Sequence, residues 1–331
     1  YIDDVEPGRL RDAAVAGAVR ALDDEFSSYL APEEYERFKD ATHGRFQGVG
    51  ITVRGVDAGL RVLRVLEDSP ADRAGIRRGD VVVAAAGQPL AGRSADAASA
   101  LIRGRAGSEV RLRIRRDDSV FVRRVRRAAI SVPVVRSELR RAGGERVAHI
   151  ALSTFSSGAH EQLVEAIRNA RRRGATGIVL DLRGNGGGLV KQAQLVASEF
   201  LSAGEIVTTR GRTVRDRTLS AVGEPAAGEL PVVVLVDAAT ASAAEIVTAA
   251  LQDHERATVV GRKTFGKGVF QALLPLANGG ALNLTIGRYF TPDGRNLAGD
   301  AVKPEVRASD KADTKRDEAL AAALRVLRRR L

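Results

Sequence analysis

The chain has 331 residues, of which 44% are hydrophobic and 28% charged, and this balance is typical of a globular protein rather than a disordered one. Cysteine is absent, which excludes disulfides, thiolate nucleophiles and cysteine metal sites, and the four histidines lie too far apart in sequence to indicate a zinc site. The net charge of +11 could attract nucleic acid, anionic lipid or acidic peptides, but solvated arginine-rich faces explain it more simply, and an aromatic content of 4% disfavours nucleic acid.

The first part of the chain, residues 1–43, is predicted to be helical. A break at Ala31-Pro32 separates a first amphipathic helix from a second one at Glu33 to Lys39. Over residues 44–130 the pattern changes to short alternating strands punctuated by glycine, with two short helices between them. Pro133 marks the end of this β-rich unit.

Strands and helices alternate over residues 131–307, which predicts a layered α/β core. Gly177 to Leu182 and Val232 to Val236 are expected to be buried strands, each followed by a helix. Residues 308–331 are predicted to form a charged amphipathic helix that packs back on the core or pairs with a partner.

The segment DAATASAAE, at residues 237–245, follows a predicted buried strand and places a helix start at or beside Ser242. Its small side chains leave room for a substrate carbonyl, and the free amide groups of a helix start can stabilise a developing oxyanion. Taken alone, the segment is explained at least as well by a simple N-cap serine with Glu245 at the capping-box position.

The segment GRKTFGKGVFQ, at residues 261–271, nearly matches a phosphate-binding P-loop. Gly268 stands where that loop needs serine or threonine, and a strand rather than a helix is predicted to follow, so a nucleotide site is disfavoured. A lysine between two glycines can be enclosed and lose its charge by desolvation, and a neutral amine is what a serine hydroxyl needs as a base. The side-chain oxygen of Gln271 could then hold the Lys267 amine in place.

The segment DLRGNGGG, at residues 181–188, also joins a predicted buried strand to a helix. It resembles a dinucleotide-binding turn, but Leu189 occupies the position that requires glycine or alanine. Its run of backbone amides suits an oxyanion, and a sharp chain reversal alone would also explain the glycines.

In this order, the three segments resemble those of the carboxyl-terminal processing peptidases, also called tail-specific proteases, of peptidase family S41. The resemblance implies that Ser242 is the nucleophile, Lys267 the general base and Gln271 the third member of the site. It further implies oxyanion donors at the Ala243 amide and at an amide of Gly187 or Gly188. Supporting roles fall to Glu245, Thr264 and Asp253.

Residues 44–128 resemble the PDZ domain that such peptidases insert before the catalytic core. The resemblance is carried by FQGVGI at residues 46–51 and by DSPADRAGIRRGD at residues 68–80. A PDZ groove binds a peptide C-terminus as an added strand, with loop amides on the carboxylate. The implied peptide-binding residues are Gln47, Gly48, Val49, Gly50 and Ile51. Arg103 and Arg105 are candidates for contacts that report the position of the PDZ domain to the core.

The resemblance thus predicts a ClpP/crotonase-like layered α/β core with an inserted β-rich PDZ domain and helical terminal segments. It implies a serine endopeptidase that needs no metal or cofactor, binds proteins or peptides by their C-termini, and is exported to the periplasm or the outer face of a membrane. Its terminal helices could form a homo-oligomer, and no nucleic acid is expected as a partner. A competing interpretation is a catalytically silent scaffold whose PDZ domain serves as a peptide adapter.

Overall fold

The computed structural model describes residues 4–131, 133–310, 314 and 316–331. It divides into two compact units, a core unit formed by Tyr1–Gly44 with Pro133–Leu331 and an inserted unit formed by Arg45–Val132. Among the residues described, no helix combines the length and the hydrophobicity that crossing a bilayer requires.

The amino-terminal segment of the core unit is not wholly helical. Its elements are α1 (Pro7–Arg20), β1 (Ser28–Leu30) and α2 (Pro32–Thr42). The expectation of helix throughout is therefore wrong over residues 28–30, where β1 pairs antiparallel with Ala281–Asn283. A proline at the first position of α2 needs no backbone donor there, which explains the predicted break.

The inserted unit is built around one antiparallel sheet. Its elements are β2 (Arg45–Gly48), β3 (Ile51–Val56), β4 (Gly59–Val65), α3 (Pro70–Arg73), β5 (Val81–Ala85), β6 (Gln88–Pro89), α4 (Ala95–Ile102), β7 (Glu109–Arg116), β8 (Ser119–Arg126) and β9 (Ala128–Ser131). The sheet has the strand order β3-β4-β5-β7-β8, and β2 pairs separately with β9. In β7, Val110, Leu112 and Ile114 face the core while the arginines between them face solvent, as strand alternation requires.

The rest of the core unit contains two sheets. Its elements are β10 (Val135–Ala142), β11 (Glu145–Leu152), α5 (Ala159–Arg172), β12 (Ile178–Asp181), α6 (Val190–Ser198), β13 (Glu205–Arg210), β14 (Arg217–Ser220), β15 (Val232–Val236), α7 (Ala243–Asp253), β16 (Ala257–Gly261), β17 (Val269–Pro275), β18 (Ala281–Phe290), β19 (Val306–Arg307) and α8 (Glu318–Arg328). One sheet has the order β10-β11-β12-β15-β16-β19 and is parallel from β11 onward, and the other is antiparallel and joins β1, β18, β13 and β14, with β17 on β18.

The parallel sheet is covered on both faces, which gives the layered core. Side chains of α5, α6 and α7 pack against Ile178, Leu180 and Val234, whereas α8 packs against the opposite face. Every residue of β15 is buried, which explains its unbroken apolar run. Helix α8 begins only at Glu318, where Asp317 caps it by accepting the Leu320 amide at 2.7 Å, so the prediction that the helix begins at residue 308 is wrong.

Strands β12, β15 and β16 are parallel neighbours, and the three motifs follow their carboxyl ends. Because the carboxyl ends of parallel strands lie along one edge of a sheet, the segments 181–189, 237–245 and 261–271 meet there.

Candidate active site

Ser242 lies in a strained turn between β15 and α7. Its φ of 54° and ψ of −117° are unusual for a residue other than glycine, and such a conformation costs about 1–3 kcal/mol. A sharp, strained strand-to-helix turn presents the nucleophile of α/β-hydrolases in a similar way. The strain thus marks Ser242 as more than an ordinary N-cap.

Gly187 packs directly against this turn. A side-chain carbon at residue 187 would lie 2.9 Å from the nitrogen of Ala243 and 2.9 Å from the Cβ of Ser242, closer than real contacts allow. The same carbon would lie 2.8 Å from the carbonyl oxygen of Ala241. Only glycine can therefore pack this closely against the turn that holds Ser242.

The glycine turn is held in place by Asn185, which is fully buried. Its Nδ2 donates to the Leu152 carbonyl at 2.8 Å, its Oδ1 accepts the Gly187 amide at 2.9 Å, and its backbone carbonyl accepts the Ala241 amide at 2.9 Å. The Gly187 amide is thus already engaged. Within the described ranges the Gly188 amide donates to no other backbone group.

A chain of charged groups anchors the start of the same turn. The Asp181 carboxylate accepts from His149 Nε2 at 3.0 Å and from an Arg183 guanidinium nitrogen at 2.7 Å, and Arg183 continues to Asp317 at 2.8 Å. His149 Nδ1 lies 3.1 Å from Glu138. Burial lowers the pKa of His149, but the two carboxylates outweigh burial and raise it. The network ties the turn to the N-terminus of α8.

Glu245 joins the nucleophile segment to the lysine segment. Its fully buried carboxylate accepts the backbone amides of Ser242 and Lys267, each at 2.9 Å. It also accepts the Gly266 amide at 2.7 Å and the Thr264 hydroxyl at 2.5 Å. Four donors on one carboxylate compensate for its desolvation and fix the two segments relative to each other.

Lys267 is half-buried, and its Nζ lies 4.9 Å from the centre of the Phe26 ring. Burial lowers the pKa of Lys267, and the negative charges of Asp24 and Glu25 oppose this effect without cancelling it. Among the described residues, no carboxylate lies within salt-bridge distance of the amine. The amine is therefore poised to lose its proton more readily than a lysine in water.

Tyr289 is a site residue that the sequence did not indicate. Its side chain is 2% exposed, packs against the Phe270 ring and lies beside the Ser242 side chain. Burial raises the pKa of the Tyr289 hydroxyl well above its ordinary value, and the neighbouring Ser242 hydroxyl lowers it by less. The tyrosine is thus a neutral group beside the serine.

The remaining predicted residues fall in two places. Gln271 follows an irregularity in the pairing of β17 with β18, and its Nε2 donates to the Thr285 hydroxyl at 3.2 Å. Asp253 ends α7, on the last turn of the helix that begins beside Ser242, and forms an ion pair with Arg295. The structure therefore gives Asp253 a partner other than Lys267.

The inserted unit has a groove of about 60 Å³ between β3 and α4. Four of the five residues predicted to bind peptide line this groove, and so does Arg103. The complete set of lining residues is Gly48, Val49, Gly50, Ile51, Val53, Ser99, Ile102 and Arg103. The fifth residue, Gln47, accepts the Ala106 amide on its side-chain oxygen at 2.9 Å. Arg105 is exposed, and its backbone carbonyl accepts the Ser108 hydroxyl.

Comparison with known proteins agrees with this architecture. The model of peptidase family S41 matches residues 146–308, and a PDZ domain model matches residues 61–116. A carboxy-terminal-processing protease of Bartonella bacilliformis is 36% identical, over 92% of this chain and 71% of its own length. The carboxy-terminal processing protease CtpA of Bacillus subtilis is 32% identical, over 93% of this chain and 66% of its own length.

A solved structure shares the fold as well. The photosystem II D1 C-terminal processing protease superimposes with a TM-score of 0.57 at 28% identity, over 98% of this chain and 88% of its own. The predicted family and the predicted fold class, a layered core with an inserted PDZ domain, are thereby confirmed. The chain belongs to the carboxy-terminal processing proteases of peptidase family S41, which are serine peptidases, and it carries their PDZ domain.

Proposed function

We propose that Ser242 is the nucleophile and Lys267 the general base of a peptidase that cleaves proteins near their C-termini. The observation that supports this most directly is the Glu245 carboxylate, which accepts the backbone amides of both residues. A buried group that fixes two reactive residues to each other has the geometry that catalysis requires. The lowered pKa of Lys267 supplies the neutral amine.

The reaction runs in two halves. The Ser242 hydroxyl gives its proton to the Lys267 amine, and its oxygen forms a bond to the scissile carbonyl carbon, whose electron pair moves to the carbonyl oxygen. The Ala243 and Gly188 amides hold that oxyanion. The C–N bond then breaks, and the leaving amine takes the proton from Lys267. Water then attacks the acyl carbon and gives a proton to Lys267. The bond between that carbon and Ser242 Oγ breaks, the serine oxygen takes the proton back from Lys267, and the product leaves with its new carboxyl group.

Four further side chains orient these groups. The Gln271 side-chain nitrogen donates a hydrogen bond to Thr285, so the side-chain oxygen is the atom that would accept a hydrogen bond from the Lys267 amine. Tyr289, a neutral group beside Ser242, could orient the serine hydroxyl before attack. Glu245 and Thr264 position the two segments, whereas Asp253 acts through the Arg295 pair and not on the amine.

Substrate recognition is assigned to the inserted unit. Strand β3 is an edge strand of its sheet, and an edge strand can pair with an extended peptide. The loop Gln47–Ile51 would then bind the terminal carboxylate through backbone amides. Arg103 lies in the groove wall and is placed to contact the bound peptide, and Arg103 and Arg105 together would report its presence to the core unit.

The decisive experiment measures cleavage of an unfolded protein substrate by the purified chain. Ser242→Ala and Lys267→Ala should each lower kcat on the order of a million-fold, and the double variant should be no worse, because such residues act as a unit. Lys263→Ala is the matched control, since Lys263 is exposed and lies four residues away. Full cleavage by Ser242→Ala would refute the assignment, and binding of substrate without turnover by the unmodified chain would favour the adapter interpretation.

Assembly and location complete the proposal. Leu10, on α1, is 59% exposed, whereas the apolar side of α8 is buried against the sheet, so a homo-oligomer would form through α1 rather than through α8. Light scattering of the purified chain and of the Leu10→Ser variant tests this proposal. A monomeric mass for both proteins would contradict it.

The family resemblance supports a location outside the cytoplasm, which fractionation of cells that express the native gene would check.

A further inference from the structure

The net positive charge has no part in the proposed chemistry, and the structure concentrates some of it in one place. An open groove of about 590 Å³ lies on the core unit and is lined by Leu139, Arg140, Arg141, Arg146 and Arg173. The four arginines come from three elements: β10, β11 and the end of α5. All four side chains are exposed.

These charges are poorly compensated within the protein. Arg141 and Arg146 are direct cross-strand partners in the β10–β11 pair, an arrangement of like charges that destabilises a sheet. Arg140 pairs with Glu138, but in the part of the chain that the structure describes Arg141, Arg146 and Arg173 have no carboxylate partner. Arg141 and Arg146 donate only to backbone carbonyls, those of Gly144 at 3.1 Å and Arg173 at 3.2 Å.

The basic surface extends beyond the groove. The side chain of Arg328, near the end of α8, lies against the backbone of Gly143 in the turn that joins β10 to β11. Positive charge thus covers an area larger than a single small anion would occupy. One guanidinium group can bind two oxygens of a phosphate at once. Several separated guanidinium groups can therefore bind several phosphates.

We propose that this basic groove docks the protein on a membrane surface that contains anionic phospholipids. The headgroups supply an array of phosphates, and the partly buried Leu139 supplies one apolar contact at the groove floor. A nucleic acid also offers repeated phosphates, but no aromatic side chain lines the groove to stack on bases. Basic residues bind an anionic leaflet cooperatively through its surface potential.

The position of the groove is compatible with catalysis. Arg146 lies at the start of β11 and Arg173 just before β12, so the groove lies at the amino ends of the parallel strands. The three motifs follow the carboxyl ends of β12, β15 and β16, at the opposite edge of the same sheet. A core unit bound through the groove would keep Ser242 away from the lipid.

The test is sedimentation of the intact chain with vesicles of phosphatidylcholine, with or without phosphatidylglycerol. We expect binding only to the mixed vesicles, weakened by salt. Arg141→Gln with Arg146→Gln should weaken that binding roughly 25-fold, since each basic residue near an anionic leaflet contributes about fivefold. Arg173→Gln should weaken it about fivefold and serves if the double variant fails to fold.

The matched control removes two exposed arginines elsewhere, Arg212→Gln with Arg215→Gln, and lowers the net charge equally. The control should bind almost as the parent does. Equal losses of vesicle binding in the two double variants would show that the net charge acts diffusely. That result would overturn the assignment of the groove as the docking site. Equal binding to pure phosphatidylcholine, or full competition by duplex DNA or inorganic phosphate at matched phosphate concentration, would overturn the lipid assignment. None of these readouts depends on peptidase activity.

Discussion

The candidate active site and the groove of the inserted unit differ in how they are assembled. The candidate active site is partly buried and draws Phe26, Gly187, Ser242, Lys267 and Tyr289 from five separate stretches of the core unit. The groove encloses about 60 Å³ and is built by only two stretches of the inserted unit, residues 48–53 and the end of α4. Bond-making chemistry needs fixed distances among several groups, whereas capture of a flexible chain end needs an exposed edge. Changes in the first region should therefore affect kcat, and changes in the second should affect KM.

The substitution Glu245→Gln is the strongest test of the expected difference between the two regions. The side chain keeps its size, but its amide nitrogen would face donors where the carboxylate now accepts four hydrogen bonds. We expect kcat to fall by about 100-fold to 1,000-fold and stability to fall by about 3–5 kcal/mol, because a buried charged network loses its acceptor. Steady-state kinetics at a temperature where the variant stays folded would measure this. Glu224→Gln, an exposed change of the same kind, is the control.

The pH dependence of turnover tests the base directly. Burial lowers the pKa of Lys267, and only its neutral form can accept the serine proton. The rate constant should therefore rise about tenfold per pH unit below that pKa and level off above it, at a pH under the 10.4 of free lysine. A level pH profile from pH 6 to pH 10, with chemistry rate-limiting, would exclude Lys267 as the base.

Filling the groove should leave the chemistry intact. Val53 lies in its wall, and Val53→Trp would occupy most of the roughly 60 Å³ that it encloses. We expect KM for a protein substrate to rise about tenfold, the loss of a modest hydrophobic anchor, while kcat for a short peptide stays unchanged. Val122→Trp, on the exposed side of β8, is the control. An equal loss of kcat on both substrates would show that the two regions are not separable.

These two regions also differ in how far the sequence predicted them. Ser242, Lys267 and the glycine turn could be predicted as site residues because each lies in a contiguous motif. The loop Gln47–Ile51, which is predicted to bind peptide, could be found for the same reason, and four of its residues line the groove. A site formed by a contiguous loop can be predicted from the amino-acid sequence of that loop alone.

The site residues that the sequence did not indicate are brought together by contacts between segments that lie far apart in the chain. Phe26 approaches Lys267 because β1 joins β18, and three residues between two helices gave too short a pattern to reveal a strand. Tyr289 is one aromatic residue in an ordinary strand pattern until the fold brings it to Ser242. Asn185 stood within a motif, but its three hydrogen bonds join segments that only the tertiary structure brings together.

The smallest expected effect concerns the charged network behind the glycine turn. Because the folded pKa of His149 is raised, its contribution to stability is complete below the unfolded pKa and is lost as the pH rises through the folded value. His149→Gln should therefore lower the free energy of unfolding by about 1–2 kcal/mol at pH 5 and by less at pH 9. Urea denaturation at the two values measures this. A loss that grows with pH would contradict a protonated bridge between Asp181 and Glu138.

The pairing of β1 with β18 has a consequence for the order of events during synthesis. Ser28 lies opposite Asn283, so Phe26, just before β1, and Tyr289, in β18, are brought to the site by two segments that lie far apart in the sequence. Such non-local pairing forms late, after long loops have closed. A ribosome-bound chain would hold Ser242 before it held a complete proton-accepting site. Hydrolytic activity would then begin only after β1 and β18 have paired.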